Sequence, residues 1–180
     1  MMIHYETLDE HDFNEYSLDH FVRHQSVKEC WRNVDGQWEL IPVEFEENWS
    51  VEQCRDIAAD IVRHMGKDQT AFGAFDGDEI VGFVTVSDIL FGNTARYAEL
   101  VCFQVSEQYR GRGIGRALFG LACGAARRSG ADKLYISAHS SRESQAVYKA
   151  LGCVHAAEIN SRLAEEEPCD VQLEYVLGRE

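Results

Sequence analysis

The sequence predicts a mixed α/β fold, with one mostly antiparallel sheet of six to seven strands flanked by about four helices. Three observations carry that expectation. Short runs rich in β-branched and aromatic residues recur between turn signals, and two stretches place apolar residues at helical spacing. A glycine turn, Arg110-Gly-Arg-Gly-Ile-Gly115, joins a strand-like run directly to a helical one. At 180 residues and 45% hydrophobic content the chain can build one well-buried core and is short for two, so residues 1–180 are expected to form a single domain.

In order, Ile3 to Leu8 reads as a first strand, and Asp9 opens a helix on Phe13, Tyr16 and Phe21. Residues 22–49 fit regular structure least. They hold all three tryptophans, Trp31, Trp38 and Trp49, and an Asp35-Gly36 turn that closes a small hairpin between Cys30-Trp31 and Trp38 to Ile41. A second helix starts at Ser50, where Gln53 completes a capping box; it buries Cys54, Ile57, Ala58, Ile61 and Met65 and stops at Gly66. Thr70 to Phe75 and Ile80 to Ser87 form an antiparallel hairpin across Asp76-Gly77-Asp78. A strand at about Tyr97 to Ser106 leads into the glycine turn, and the helix after it carries Ile114, Leu118, Leu121, Ala122 and Ala125 on one face. A strand at Lys133 to Ser137, a short helix from Arg142 to Leu151, a strand at Val154 to Glu158 and the alternating Val171, Leu173, Tyr175, Leu177 complete the chain, without repeats.

Composition excludes several classes of function. A formal charge of −14 argues against general nucleic-acid binding and suits cationic partners such as amines. Six cysteines, at 30, 54, 102, 123, 153 and 169, show no metal spacing and read as free thiols, so no metal is expected. His20 and His24 stand four apart but lack a third ligand, which makes them solvent-facing side chains. His139 follows a strand near the expected centre, yet it has no G-x-S-x-G partner and no evident orienting carboxylate, so a hydrolase triad is poorly supported. With no signal peptide and no membrane-spanning apolar run, the expectation is a cytoplasmic protein without membrane contact.

The glycine turn is a phosphate cradle. Glycines at 111, 113 and 115 remove the Cβ atoms that would hold an anion away and permit φ > 0 where backbone N–H groups converge. The helix that follows aims its unpaired amides and positive dipole end at the same point, and Arg110, Arg112 and Arg116 add cationic donors. A P-loop would need Lys-Ser/Thr after the last glycine, where Arg116-Ala117 stand. A dinucleotide fingerprint begun at Gly111 would need glycine in place of Arg116.

Arg110, Gly113 and Gly115 instead satisfy R/Q-x-x-G-x-G/A, which resembles the acyl-coenzyme A signature of the GNAT superfamily of N-acetyltransferases. The preceding strand, Ala98-Glu-Leu-Val-Cys-Phe-Gln-Val-Ser106, is similar to the family's A-E-I-V-x-x-x-V-S. Downstream, Ser141 to Tyr148 and Gly152-Cys153 resemble N-x-x-A-x-x-x-Y and G-F, with serine at 141 replacing asparagine and cysteine at 153 replacing phenylalanine. The similarity is good over roughly residues 70–155.

That resemblance implies a GNAT-like sheet and acetyl-CoA as cosubstrate. The CoA site would comprise Phe103, Val105, Arg110, Gly111, Arg112, Gly113, Ile114, Gly115, Arg116, Ser141 and Ser144, with backbone N–H groups near Phe103 and Val105 polarising the thioester carbonyl. Glu99 would be the general base and Tyr148 the general acid. Residues 22–49 would be the variable segment over the acceptor, with Trp31, Trp38, Phe45 and Glu47 touching it. A base is needed, because deprotonating an alkylammonium of pKa about 10.4 at pH 7 costs roughly 4.6 kcal/mol. The expected activity is acetyl transfer to the primary amine of a small cationic molecule by direct attack in a ternary complex. The alternatives are a protein lysine or N-terminal acetyltransferase, a non-catalytic acyl-CoA-binding module, and an interaction domain whose tryptophan-rich segment binds a protein partner or forms a homodimer.

Overall fold

A computed structural model describes residues 2–178. In chain order the elements are β1 (Ile3–Thr7), β2 (His24–Val34), β3 (Gln37–Asn48), α1 (Val51–His64), β4 (Gln69–Asp76), β5 (Glu79–Ser87) and β6 (Tyr97–Val105). Then follow α2 (Ile114–Arg128), β7 (Lys133–Ala138), α3 (Arg142–Leu151), β8 (Val154–His155), α4 (Ser161–Glu166) and β9 (Val171–Val176). Seven strands form one sheet in the order β1-β4-β5-β6-β7-β9-β8, while β2 and β3 pair only with each other. Every pairing in the large sheet is antiparallel except β6 with β7.

Two cores sandwich the sheet. On one face α2 packs Ile114, Leu118, Ala122 and Ala125 onto Val84, Val86, Ala98 and Leu100. On the other, α1 contributes Cys54, Ala58 and Ile61 to a cluster with Ala71, Ile80 and Phe83. The capping box at the start of α1 is as expected: Ser50 Oγ accepts from Gln53 N at 3.2 Å, and Gln53 Oε1 accepts from Ser50 N at 2.9 Å.

The structure departs from expectation at four places. Residues 9–21 form successive turns rather than a helix. Their short polar side chains supply the backbone with nearer partners than a helix would: Asp9 Oδ1 takes the His11 N–H, Asn14 Oδ1 the Tyr16 N–H, and Ser17 Oγ the Asn14 N–H. Phe13, Leu18 and Phe21 are buried nonetheless, in the α1-side core. The small hairpin expected around Asp35-Gly36 is in fact 11 and 12 residues long on its two sides. Asp35 and Gly36 have φ of 51° and 84°, as a type I′ turn requires. The fourth helix is α4, capped by Asn160, in a stretch that shows no helical pattern, and β8 is only two residues long.

The pairing of β6 with β7 places the site. The two strands run together for three rungs only, from Tyr97 with Lys133 to Glu99 with Tyr135. Beyond that, β6 continues against β5, with a bulge between the Leu100 and Cys102 rungs, while Ile136 to Ala138 pair with β9 alone. A wedge therefore opens in the middle of the sheet just past Glu99.

Candidate active site

At the end of β6 a single 3₁₀ turn, Glu107–Tyr109, delivers the chain to Arg110 and the glycines, and no side chain caps α2. Gly111 and Gly113 are left-handed, with φ of 74° and 82°. A Cβ at either would meet nothing within 4 Å, so these glycines serve the backbone's curvature rather than packing. Gly115 lies inside the first turn of α2, where a Cβ would touch Phe103 Cζ at 3.4 Å; it lets the helix sit close on β6. The first amides of α2 thus point, uncapped, toward the mouth of the wedge.

The three arginines of the turn differ. Arg110 Nε donates to Val105 O at 3.0 Å and its Nη1 to His24 O at 2.7 Å, so the guanidinium braces the turn against β6 and the start of β2. Arg112 lies over the Tyr109 ring, 5.3 Å from its centroid, and Arg116 is exposed.

Glu99 sits on the last shared rung of β6 and β7. Its neighbours Ala98 and Leu100 face the α2-side core, which puts the carboxylate on the α1 face. Burial raises its pKa; Arg162 Nη2, 3.6 Å away, opposes that rise, and Glu166 adds to it. Tyr148 reaches the wedge from the other side, on α3. Its ring is 6.2 Å from that of Phe103, and it packs against the α2-side core. Burial pushes its pKa well above the ordinary tyrosine value, with smaller contributions from Cys153, Cys102 and Asp170. The phenol is therefore protonated at neutral pH, and its hydroxyl makes no hydrogen bond among the described residues.

Ser141 is fully buried and its hydroxyl is occupied: it caps α3 by accepting from Ser144 N at 3.2 Å, donates to Ser144 Oγ at 2.9 Å, and accepts from Gln25 Nε2 at 2.8 Å. It therefore ties α3 to β2. Phe103 and Val105 line the β6 wall beneath the first turn of α2, and Ile114 is buried in the core there.

The hairpin residues separate into two groups. Trp31 and Trp38 line a pocket of about 700 Å³ against α3 and β9, where Trp38 stacks on His155 at 5.1 Å. Phe45 and Glu47 lie beside His139 instead. The Phe45 ring is 6.4 Å from the imidazole, and Glu47 Oε1 is 3.0 Å from His139 Nε2. His139 Nδ1 accepts from Ser141 N at 3.2 Å, so the proton of the neutral ring is on Nε2, facing Glu47. Behind Glu47 stands Arg23, with Nη1 2.6 Å from Oε2, in a close ion pair whose angle falls outside hydrogen-bonding geometry. His139 thus has the orienting carboxylate that the sequence does not reveal, from a residue 92 positions away. His24 is likewise not simply solvent-facing: it bridges Glu46 at 2.7 Å and Glu107 at 2.9 Å, clamping the hairpin base to the cradle turn, and both carboxylates raise its pKa. Among the described residues no cluster of His, Cys, Asp or Glu could hold a metal ion, and all six cysteines are free. No helix among those residues is long and apolar enough to cross a membrane.

Comparison with solved structures finds the same architecture over the full length. A nourseothricin acetyltransferase superposes with a TM-score of 0.72 at 20% identity, covering 99% of this chain and 100% of that one. A putative streptothricin acetyltransferase from Bacillus anthracis, solved with acetyl coenzyme A, gives 0.69 at 17% identity and full coverage of both chains. The PaiA N-acetyltransferase of Thermoplasma acidophilum, solved with coenzyme A, gives 0.61 at 18% identity, covering 98% of this chain and 99% of that one. A search of curated proteins returned no match. The acetyltransferase (GNAT) family profile matches residues 34–153, taking in the second strand of the hairpin, the cradle, the wedge and α3, and the chain belongs to that family.

Proposed function

We propose that the protein is an acetyl-CoA-dependent N-acetyltransferase acting on the primary amine of a small cationic molecule within a ternary complex. The observation that carries this reading is the wedge between β6 and β7, with uncapped amides at its mouth, Glu99 on one face of the sheet and Tyr148 on the other. The curved, open backbone at Gly111 and Gly113 fits a pyrophosphate, and Phe103, Val105 and the first turn of α2 would hold the pantetheine arm along β6. Bound acetyl-CoA supplies a thioester.

The protein's own groups do the rest. Glu99, its pKa raised toward the working range by burial, takes a proton from the incoming ammonium, directly or through water. Backbone N–H groups near Phe103 and Val105 polarise the acyl carbonyl. As the new C–N bond replaces the C–S bond, Tyr148 delivers its phenolic proton to the departing sulfur and is restored by the second proton that the nitrogen sheds, so the net release is the one proton that Glu99 takes and passes to solvent. A chain charge of −14 favours a cationic acceptor, and similarly folded proteins are named for nourseothricin, streptothricin and aminoglycoside acetylation. Calorimetry with acetyl-CoA, followed by thiol-release assays over polyamines and cationic antibiotics, tests the proposal. Cofactor binding with amine-dependent thiol release is expected; absence of both contradicts it.

A second reading of the base rests on the 3.0 Å contact between Glu47 and His139. If that pair removes the proton, Glu47→Gln loses the acid limb of the pH–rate profile while Glu99→Gln keeps it. The reading centred on Glu99 predicts the reverse.

A further inference from the structure

A second opening lies on the α1 face of the sheet, next to the base. It is a pocket of about 340 Å³ whose walls include Asp56, Ile57, Asp60 and Ile61 of α1, Thr85 of β5 and Val101 of β6. Thr85 pairs with Cys102 at the β6 bulge, and Val101 stands two residues past Glu99, about 6–7 Å along the strand. The pocket therefore borders the point at which the sheet splits.

Its polar groups are unusual. Thr85 is 1% exposed, and its Oγ1 has no hydrogen-bond partner. A buried hydroxyl left so costs about 1–3 kcal/mol, a cost that a water, an ion or a ligand donor reaching the oxygen would remove. Asp56 and Asp60, four apart on α1, face the same side. Asp60 contacts Arg63 Nη1 at 3.0 Å on the surface and has His64 Nε2 at 3.8 Å, while among the described residues Asp56 forms no ion pair. The rest of the lining is the Gln69 amide and an apolar surface of Ile57, Ile61, Val101 and Cys102, whose thiol is pushed up to about 12 by burial and stays neutral.

An ammonium group has three donors and a charge to neutralise, and here it meets one free hydroxyl oxygen and two carboxylates. We propose that this pocket seats the distal ammonium of a diamine or polyamine acceptor, whose other amine is acetylated beside Glu99. The assignment rests on the transferase reading above. The methylene chain lies along Ile57, Ile61 and Val101, Thr85 Oγ1 accepts one ammonium hydrogen, and Asp56 and Asp60 balance the charge.

The test is calorimetric titration of 1,4-diaminobutane, with 1-aminobutane as the control lacking the second charge. The samples are wild type, the double variant Asp56→Asn/Asp60→Asn, and Thr85→Val. Wild type should bind the diamine about tenfold more tightly than the monoamine, the span expected of two screened carboxylate contacts. The double variant should erase that preference. Thr85→Val should weaken diamine binding several-fold with an unchanged or higher melting temperature, since the isosteric methyl relieves an unpaired hydroxyl. A wild type that binds both amines equally, or a double variant that keeps wild-type affinity, overturns the proposal. Acetyl-CoA titrated into the same samples separates the two failures. Acetyl-CoA bound with no diamine preference overturns the pocket alone, whereas no acetyl-CoA binding overturns the transferase reading and the acceptor assignment with it.

Discussion

The two faces of the wedge are built from different materials. On the α2 face, the cradle is made of backbone: curved glycines, uncapped amides and a helix end, all supplied by one contiguous stretch from Arg110 to Arg116. On the α1 face, the proposed acceptor side is made of side chains drawn from distant segments, among them Arg23, Glu47, Asp56, Thr85, Glu99, His139 and Arg162. A backbone site holds its geometry whatever side chains surround it, which suits an invariant cosubstrate. A side-chain site can be re-specified one residue at a time, which suits an acceptor. The hairpin base joins the two, since Arg110 and Glu107 of the cradle turn hold the His24 carbonyl and imidazole.

The contrast can be broken first at the residue that reaches the wedge from α3. Tyr148→Phe keeps the ring against Phe103 and removes only the donor, so kcat should fall by about 10²–10⁴-fold with cofactor affinity and melting temperature unchanged. Steady-state kinetics beside a melting curve decides this; stability lost with turnover kept would make Tyr148 a packing residue only.

Glu99→Gln should lower kcat by about 10²-fold near neutral pH, at the low end of the range for general base catalysis. With Glu99 as the base, wild-type activity should climb as pH rises through its elevated pKa, because only the carboxylate accepts a proton. The variant should lack that limb and recover part of its rate as the amine's own pKa of about 10.4 is approached. An unchanged pH–rate profile in the variant would move the base to the Glu47–His139 pair.

The smallest effect is expected at the N-cap of α1, about 9 Å along the helix from the pocket residue Asp56. Ser50→Ala removes the α1 cap and should cost about 1 kcal/mol in chemical denaturation while kcat stays at the wild-type value. A fall in kcat would show that α1 is coupled to the chemistry through more than its position.

The same division explains what the sequence makes legible. The cradle, the capping box at Ser50 and the β4–β5 hairpin are encoded by neighbours along the chain, through glycine φ freedom, i to i+3 side-chain bonds and period-two alternation, so local reasoning reaches them. The Asp35-Gly36 turn was legible for the same reason, although the length of the hairpin was not: its strands alternate only weakly because much of both faces is exposed. Asp9, Asn14 and Ser17 defeat the helix expected over 9–21 through local side-chain bonds that compete with helical ones. The Arg23–Glu47–His139 chain and the orphaned Thr85 hydroxyl carry no local signal at all, since strand and loop packing alone brings their partners close or leaves them absent.

The Arg110–Gly115 turn is proposed to bind the phosphates of acetyl-CoA through its backbone. Titrating acetyl-CoA into wild type and Gly113→Val by calorimetry, with melting curves for both, tests it most directly. Valine at φ 82° should cost about 1–3 kcal/mol of stability and place a branched side chain where the anion would sit. The variant should stay folded while its acetyl-CoA affinity falls at least about a hundredfold, because close backbone approach is blocked. A folded Gly113→Val protein that binds acetyl-CoA as tightly as wild type would contradict it.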